Sequence, residues 1–153
     1  MCGIIGIVSK NEVVDRLIDG LARLEYRGYD SAGIATINSS EIVYSKSTGK
    51  LVSLKNKIKE NPIDGHVGIG HTRWATHGEP IEINAHPHVT KNVAVVHNGI
   101  IENFAELKDE LLEKGIIFNS QTDTEVIARL IEEKISKEKF GPLEAVRLTI
   151  EKL

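Results

Sequence analysis

The chain opens with Met1-Cys2-Gly3-Ile4-Ile5-Gly6-Ile7-Val8, a stretch that predicts the first strand of the fold and the residue presented at its start. Apolar residues run from position 4 to 8 around a glycine, which is typical of a short buried strand approached closely by another backbone or a ligand. A free cysteine is most often a small buried hydrophobe, but chain termini are seldom well buried. Removal of Met1 would instead expose a thiol and an α-amine on one residue, Cys2.

Beyond this strand the pattern alternates between strands and helices. The predicted helices cover 13–24, 51–59, 103–114, 124–135 and 142–153, and the predicted strands cover 32–37, 42–47, 67–72 and 93–97. Asn11 is an expected N-cap, and Thr122 with Glu125 has the form of a capping box. Because strands precede and interleave with helices over short links, we predict an α+β or α/β protein with mixed or antiparallel sheet.

Composition limits the classes of function. The 153 residues suit one domain, and 41% apolar with 27% charged residues is typical of a globular chain. A net charge of −3 without a long basic run argues against nucleic acid as a partner. The apolar runs are too short to cross a membrane, and we recognise no signal peptide. One cysteine cannot form an internal disulfide, so we expect a cytoplasmic protein.

Cys2 carries the first candidate chemistry. A thiol attacks carbonyl groups as the thiolate and needs a base close by. A free α-amino group, with a pKa of ~7.7–8.0, can be that base directly or through one water. The reaction also needs donors aimed at the developing negative charge, and Asn98-Gly99 offers a side-chain amide and an unhindered backbone N–H. Asn-Gly taken alone equally predicts a hairpin turn.

The loop 71–78, which reads HTRWATHG, contains a second candidate constellation. Arg73 can bind a carboxylate with its bidentate guanidinium fork, and Trp74 can form a lid that excludes water. Asp123, at the start of a predicted helix, can accept from an ammonium group. An arginine for a carboxylate and an aspartate for an amine would clamp a free α-amino acid, although a solvated loop and an ordinary helix cap explain the same spacing.

Histidine clustering offers a competing hypothesis. All six histidines fall between residues 66 and 97, and His86-Pro87-His88 has a spacing that places both rings on one face of a strand. A metal-binding module would use such a set. Against it, Pro87 is a poor strand residue, no cysteine lies nearby, and no HExxH motif occurs. Phosphate-loop and dinucleotide motifs are also missing. We therefore predict no metal and no cofactor.

Several motifs together resemble a known family. They are MCGI at 1–4, EYRGYDSAG at 25–33, HTRWATHGEP at 71–80, NAHPH at 84–88, HNGIIEN at 97–103 and TDTE at 122–125. The combination resembles the class II glutamine amidotransferases and, within them, the glutaminase domain of the glutamine-dependent fructose-6-phosphate transaminases. The resemblance extends over nearly the whole chain. Related amidotransferases share the Cys-Gly-Ile start and an Asn-Gly pair, but they would not be expected to carry EYRGYDSAG or HTRWATHGEP.

The resemblance implies an N-terminal-nucleophile hydrolase fold, a four-layer αββα sandwich. It implies that Cys2 attacks the γ-amide of L-glutamine with its own α-amine as base, releasing ammonia and leaving a glutamyl thioester that water cleaves. By matching position, the Asn98 side chain and the Gly99 N–H would form the oxyanion hole. Arg27, in the EYRGYDS motif, would support the terminal residue.

The same resemblance assigns the substrate-binding residues. Arg73 would hold the α-carboxylate of glutamine and Asp123 its α-amine. Thr76 and His77 would line the glutamine pocket, and Trp74 would lie on the loop that closes over it.

The resemblance further implies a longer enzyme, in which ammonia passes to a C-terminal isomerase domain and aminates fructose-6-phosphate, with a homo-oligomer as the expected assembly. We therefore expect residues 1–153 to be a truncated glutaminase domain that lacks the isomerase domain and the strands completing the sandwich. A catalytically inactive fragment of that enzyme is the alternative.

Overall fold

The structure, a computed structural model, describes residues 2–75 and 78–153. Thr76 and His77, two of the predicted substrate-binding residues, lie outside the described residues, as does Met1. The four long strands are β1 (Gly3–Val8), β2 (Ser31–Asn38), β3 (Glu41–Thr48) and β4 (Val67–Arg73). They form one antiparallel sheet in the order β1-β4-β2-β3. Two short strands, β5 (His88–Val89) and β6 (Ala94–Val95), pair in a second antiparallel sheet.

In the described part of the chain, five α-helices complete the fold: α1 (Val14–Leu24), α2 (Leu51–Glu60), α3 (Phe104–Glu113), α4 (Glu125–Ser136) and α5 (Pro142–Ile150). Helix α1 forms because its apolar residues recur on one face, and that face is buried against the long sheet. Leu17, Leu21 and Ile34 are fully buried in this first core, which α2 completes with Leu54. None of the helices among the described residues combines the length and the apolar character needed to cross a membrane.

A second core lies on the other side of the long sheet. It joins α3, α4 and α5 through buried apolar residues such as Leu111, Val126, Leu130 and Ala145. A cavity of about 470 Å³ separates the two cores, with strands β2 and β4 on one wall and β6, α4 and α5 on the other. The layers therefore follow the order helices, long sheet, short sheet, helices, which confirms the predicted α+β class and αββα arrangement.

The short sheet is held by one carboxylate of α4. Glu132 accepts hydrogen bonds from the Thr90 hydroxyl at 2.7 Å and from the Asn92 backbone N–H and side-chain amide at 2.9 and 2.8 Å. These contacts anchor the turn between β5 and β6.

Four local predictions differ from the structure. Strand β1 is an edge strand rather than a buried one, so that Ile4 is 41% and Val8 82% exposed. The strand predicted over 93–97 shortens to Ala94–Val95. Asn11 does not cap α1, which begins after Val13.

The predicted capping box is also wrong. The N-cap of α4 is Thr124, and no side-chain cap bond forms there. The Glu125 carboxylate instead accepts from the backbone N–H groups of Asn119 and Ser120 and pairs with Arg129. The Glu125 carboxylate thus makes tertiary contacts, although the local spacing predicted that it would cap the start of α4.

Candidate active site

Cys2 is held at the start of β1 by contacts from three distant segments. Arg27 Nε donates to the Cys2 carbonyl oxygen at 3.3 Å, and Asn98 Nδ2 donates to the same oxygen at 3.0 Å. The Trp74 backbone N–H lies 3.3 Å from the Cys2 sulfur, which in turn lies 3.6 Å from the Trp74 carbonyl oxygen. The structure thus brings together Cys2, Asn98 and Arg27, three of the candidate site residues.

Strand pairing explains why the thiol reaches Trp74. Strands β1 and β4 run antiparallel with Gly3 opposite Thr72, so the residue before Gly3 must lie beside the residues that follow Thr72. The segment that carries Arg27 can lie close to the backbone of Arg73 because the next residue is glycine. A Cβ at Gly28 would lie 2.6 Å from the Arg73 carbonyl carbon, nearer than any real side chain allows.

A cavity of about 330 Å³ opens beside the thiol. Its lining residues are Cys2, Arg27, His86, His97, Asn98, Gly99, Ile100, Thr122, Asp123 and Thr124. The larger cavity between the sheets has no titratable group among its described lining residues. The smaller, polar cavity is therefore the candidate active site, since a nucleophile, amide donors and a carboxylate converge on it.

Asn98 and Gly99 line the same cavity as Cys2. The Asn98 side chain is fixed at both ends, because its Oδ1 lies 2.9 Å from His71 Nε2 while its Nδ2 holds the Cys2 carbonyl oxygen. Gly99 packs against the His97 ring, and a Cβ there would lie 2.6 Å from His97 Nε2. His97 Nδ1 is 3.2 Å from the Thr124 hydroxyl, and this contact limits how far the His97 ring can move away from residue 99.

Asp123 supplies a buried carboxylate to the same cavity. Its Oδ2 accepts from the Ile101 backbone N–H at 2.8 Å, and its Oδ1 accepts from the Thr124 N–H at 2.9 Å. The residue is 6% exposed. The Thr124 hydroxyl also lies 3.4 Å from Oδ1, whereas Oδ2 keeps a second acceptor position. The carboxylate therefore has capacity to bind an ammonium group in the cavity.

Arg73 and Trp74 lie near the cavity without lining it. The Arg73 guanidinium is buried, donates to the carbonyl oxygens of Gly78 and Glu79 at 3.2 Å each, and lies 3.9 Å from Asp30. The Trp74 ring is half-exposed and packs edge-on against Tyr29, with the ring centroids 5.3 Å apart. Trp74 thus meets Cys2 through its backbone.

Three buried histidines lie together at the site, one of them, His86, in the wall of the cavity, and the sequence motifs alone assigned them no role in the reaction. The rings of His71 and His86 lie 4.2 Å apart, those of His86 and His88 lie 4.7 Å apart, and His88 Nε2 is 2.7 Å from the Thr122 hydroxyl. Burial lowers the pKa of His71 to about 4 and that of His88 to about 3, and it lowers the pKa of His86 as well. These rings are therefore neutral near pH 7.

The clustering of histidines between positions 66 and 97 was the available signal, and it suggested a metal. Within residues 2–75 and 78–153, no group of three or more His, Cys, Asp or Glu side chains is arranged to hold a metal ion. The rings contact one another edge and face instead of converging their nitrogens on one point. The histidine column formed by His71, His86 and His88 is thus a packing unit.

A cysteine that directly precedes the first strand of an αββα fold, beside a polar cavity, defines the class of N-terminal-nucleophile hydrolases. Two solved structures share this fold over the whole chain with a TM-score of 0.83. One is the glutamine phosphoribosylpyrophosphate amidotransferase of B. subtilis complexed with ADP and GMP, 27% identical over 33% of its length. The other, 28% identical over 33% of its length, is described as the allosteric regulatory enzyme of purine biosynthesis.

The family follows from sequence comparison. Residues 56–139 match the family model for the glutamine amidotransferase domain, and the chain belongs to this family. It is 56% identical over its full length to the glutamine–fructose-6-phosphate aminotransferase (isomerizing) of Mesorhizobium japonicum and 55% identical to that of Bradyrhizobium diazoefficiens. The Brucella abortus enzyme is 56% identical over 147 residues. The chain spans about a quarter of the length of these curated relatives.

Proposed function

We propose that this chain hydrolyses the side-chain amide of glutamine with Cys2 as the nucleophile. The observation that carries the proposal is the hydrogen bond between Asn98 Nδ2 and the Cys2 carbonyl oxygen, at the wall of a polar cavity. This bond keeps an amide donor next to Cys2, and acyl transfer needs such a donor where negative charge develops. The buried Asp123 carboxylate offers a partner for the substrate amine.

The reaction begins after removal of Met1, which frees the α-amine of Cys2. That amine takes the thiol proton, and the thiolate sulfur bonds to the amide carbon of glutamine. An asparagine amide carries two N–H donors. One N–H of Asn98 keeps the Cys2 carbonyl oxygen in place, and the other, with the Gly99 N–H, stabilises the oxyanion.

Collapse of this intermediate breaks the carbon–nitrogen bond. The α-ammonium of Cys2 returns its proton to the leaving nitrogen, so that ammonia departs and a γ-glutamyl thioester remains. Water then adds to the thioester with the α-amine again as base. The carbon–sulfur bond breaks, glutamate leaves, and the thiol is restored.

The two ends of free glutamine are bound by opposite charges. Asp123 accepts from the α-ammonium group, and Arg73 binds the α-carboxylate. This role requires the Arg73 guanidinium to turn from the carbonyl oxygens of Gly78 and Glu79 toward the cavity. Arg73→Lys should raise the KM for glutamine, because an ammonium group lacks the bidentate fork. Thr76 and His77 complete the pocket in this proposal, and Trp74 closes over it.

Residues 1–153 would act as part of a longer enzyme. In that enzyme the glutaminase domain supplies ammonia to an isomerase domain, which converts fructose-6-phosphate to glucosamine-6-phosphate. The identity to aminotransferases about four times as long supports this assignment. A homo-oligomeric, cytoplasmic enzyme belongs to the same proposal.

The test is glutamate and ammonia release from L-glutamine by the purified 153-residue chain. The Cys2→Ala variant provides the matched control, and intact mass during turnover should reveal a γ-glutamyl adduct on the wild type alone. Equal glutamate release by wild type and Cys2→Ala would contradict the nucleophile assignment. Labelling of Cys2 by an electrophilic glutamine analogue, without turnover, would identify a binding-competent but inactive fragment.

A further inference from the structure

His71 contacts the oxyanion-hole residue from behind the cavity. It lies in β4, opposite Ile4 of β1 and Gly33 of β2, and its side chain is fully buried. His71 Nε2 lies 2.9 Å from Asn98 Oδ1. In the proposed glutaminase reaction His71 has no part of its own.

The bond to Cys2 determines which way the Asn98 amide faces. A backbone carbonyl oxygen only accepts hydrogen bonds, so the atom of Asn98 that lies 3.0 Å from the Cys2 oxygen must be the donor Nδ2. Oδ1 therefore faces His71 and needs a donor there. Since neutral imidazole carries one proton, His71 must carry it on Nε2.

The His71 ring cannot rotate freely to abandon this bond. His86 lies against its face at 4.2 Å, and the His86 ring in turn meets His88, which the Thr122 hydroxyl anchors through Nε2. The column therefore connects Asn98 with Thr122, the neighbour of Asp123, through three contacting rings. Close packing restrains each of them, because a buried ring that moves must displace its neighbours.

We propose that His71 is a positioning residue for the oxyanion hole, whose Nε2–H holds Asn98 so that its amide N–H groups face Cys2 and the cavity. The proposal rests on the glutaminase function proposed above. Without the His71 donor, Asn98 Oδ1 loses its buried partner, and the amide can turn its oxygen toward the cavity. An acceptor there repels an oxyanion, so the loss should fall on turnover rather than on glutamine binding.

Two substitutions at one position separate this role from simple packing. The glutamine amide nitrogen reaches about as far as imidazole Nε2, whereas the asparagine nitrogen reaches only as far as Nδ1. We expect His71→Asn to lower kcat at least about tenfold with KM within about twofold of wild type. His71→Gln should recover most of that loss. In an Asn98→Ala background, His71→Asn should cost nothing further, because both changes remove one interaction.

The control is His66→Asn, which alters a surface histidine paired loosely with Glu12 at 3.7 Å; its kcat and KM should equal those of wild type. Thermal midpoints of all variants identify any that fail to fold. Equal losses for His71→Asn and His71→Gln, an effect confined to KM, or additive effects with Asn98→Ala would overturn the proposal.

A measurement without turnover separates this proposal from the glutaminase function. In a chain labelled with ¹⁵N at histidine, the His71 ring should show the Nε2–H tautomer and should not titrate between pH 5 and 8. An Nδ1–H tautomer would overturn the positioning role whatever the activity. A wild-type chain that shows the Nε2–H tautomer but releases no glutamate would contradict the proposed function and leave the His71–Asn98 geometry established.

Discussion

The side-chain amide of Asn98 lies 3.0 Å from the carbonyl oxygen of Cys2, 96 positions away in the chain. This bond joins the start of the first strand to the turn that follows β6, and thereby joins the two sheets at the candidate active site. The donor proposed for the oxyanion also clamps the nucleophile's backbone. The Asn98 side chain therefore serves both the proposed reaction and the positioning of the Cys2 backbone.

Asn98→Ala should lower kcat by about 10²- to 10³-fold with little change in KM, because the oxyanion exists only along the reaction path. Steady-state glutamate release measures both parameters. A large rise in KM with kcat preserved would show that Asn98 binds ground-state glutamine instead.

Retention of Met1 should abolish turnover, since the nitrogen of Cys2 would then be an amide that cannot accept the thiol proton. A chain with a processing-resistant residue inserted after Met1 tests this when compared with the processed chain. Intact mass establishes the terminus, and thiol labelling confirms that Cys2 stays reactive in both. Full activity of the extended chain would remove the α-amine from the mechanism.

Asp123→Asn should weaken glutamine binding by about 2–5 kcal/mol, because the substrate ammonium would lose its buried counter-charge. It should also destabilise the fold by about 1–3 kcal/mol. An asparagine can offer an acceptor to only one of the N–H groups of Ile101 and Thr124 that the carboxylate now holds. Calorimetric titration of glutamine into a Cys2→Ala background isolates the binding effect, and unchanged affinity would exclude Asp123 from the glutamine site.

Gly99→Ala should reduce both stability and kcat, because a Cβ at residue 99 would lie 2.6 Å from His97 Nε2. We expect a loss of about 1–3 kcal/mol in the free energy of unfolding. Gly6→Ala is the matched control: Gly6 is exposed in β1, and a Cβ there meets only Ile69 Cγ2 at the ordinary contact distance of 3.9 Å. Chemical denaturation compares the two variants, and equal stabilities would show that the His97 ring yields without cost.

The histidine column should make the protein sensitive to mild acid. The unfolded chain binds protons at these histidines below pH ~6.5, whereas burial lowers the folded pKa of His71 to about 4 and of His88 to about 3. Stability is therefore fully present above pH ~6.5 and falls as the pH drops toward 4, by up to about 1.4 kcal/mol per pH unit for each histidine.

Charged residues around the histidine column both raise and lower the pKa of His88. Arg73 and Lys46 oppose protonation of His88, while Glu125 favours it. Urea denaturation at pH 7, 6 and 5 measures the slope. The exposed His66→Asn variant should follow wild type, and a flat profile between pH 7 and 5 would show that the buried rings take up protons in the folded state.

Local pattern was sufficient for most secondary structure. Apolar residues at helical spacing predicted α1 to within a residue, and the turn between 38 and 41 separates β2 from β3 as expected. The helix and the turn depend on residues only three or four positions apart, so the local sequence is enough to predict them. The capping-box assignment failed because the Glu125 carboxylate binds Asn119, Ser120 and Arg129 instead of its own helix end.

The sequence by itself determined the class of the chain and the candidates Cys2, Asn98, Gly99 and Asp123, since short motifs specify residue type and local conformation. Only the tertiary structure decided that His71 supports Asn98, that the Arg73 guanidinium turns to Gly78 and Glu79, and that the histidines stack instead of converging on a metal. Each of these outcomes depends on how β4, β5 and the turn after β6 meet in space. Contacts between such distant segments depend on how the whole chain packs, and no short segment of sequence specifies them.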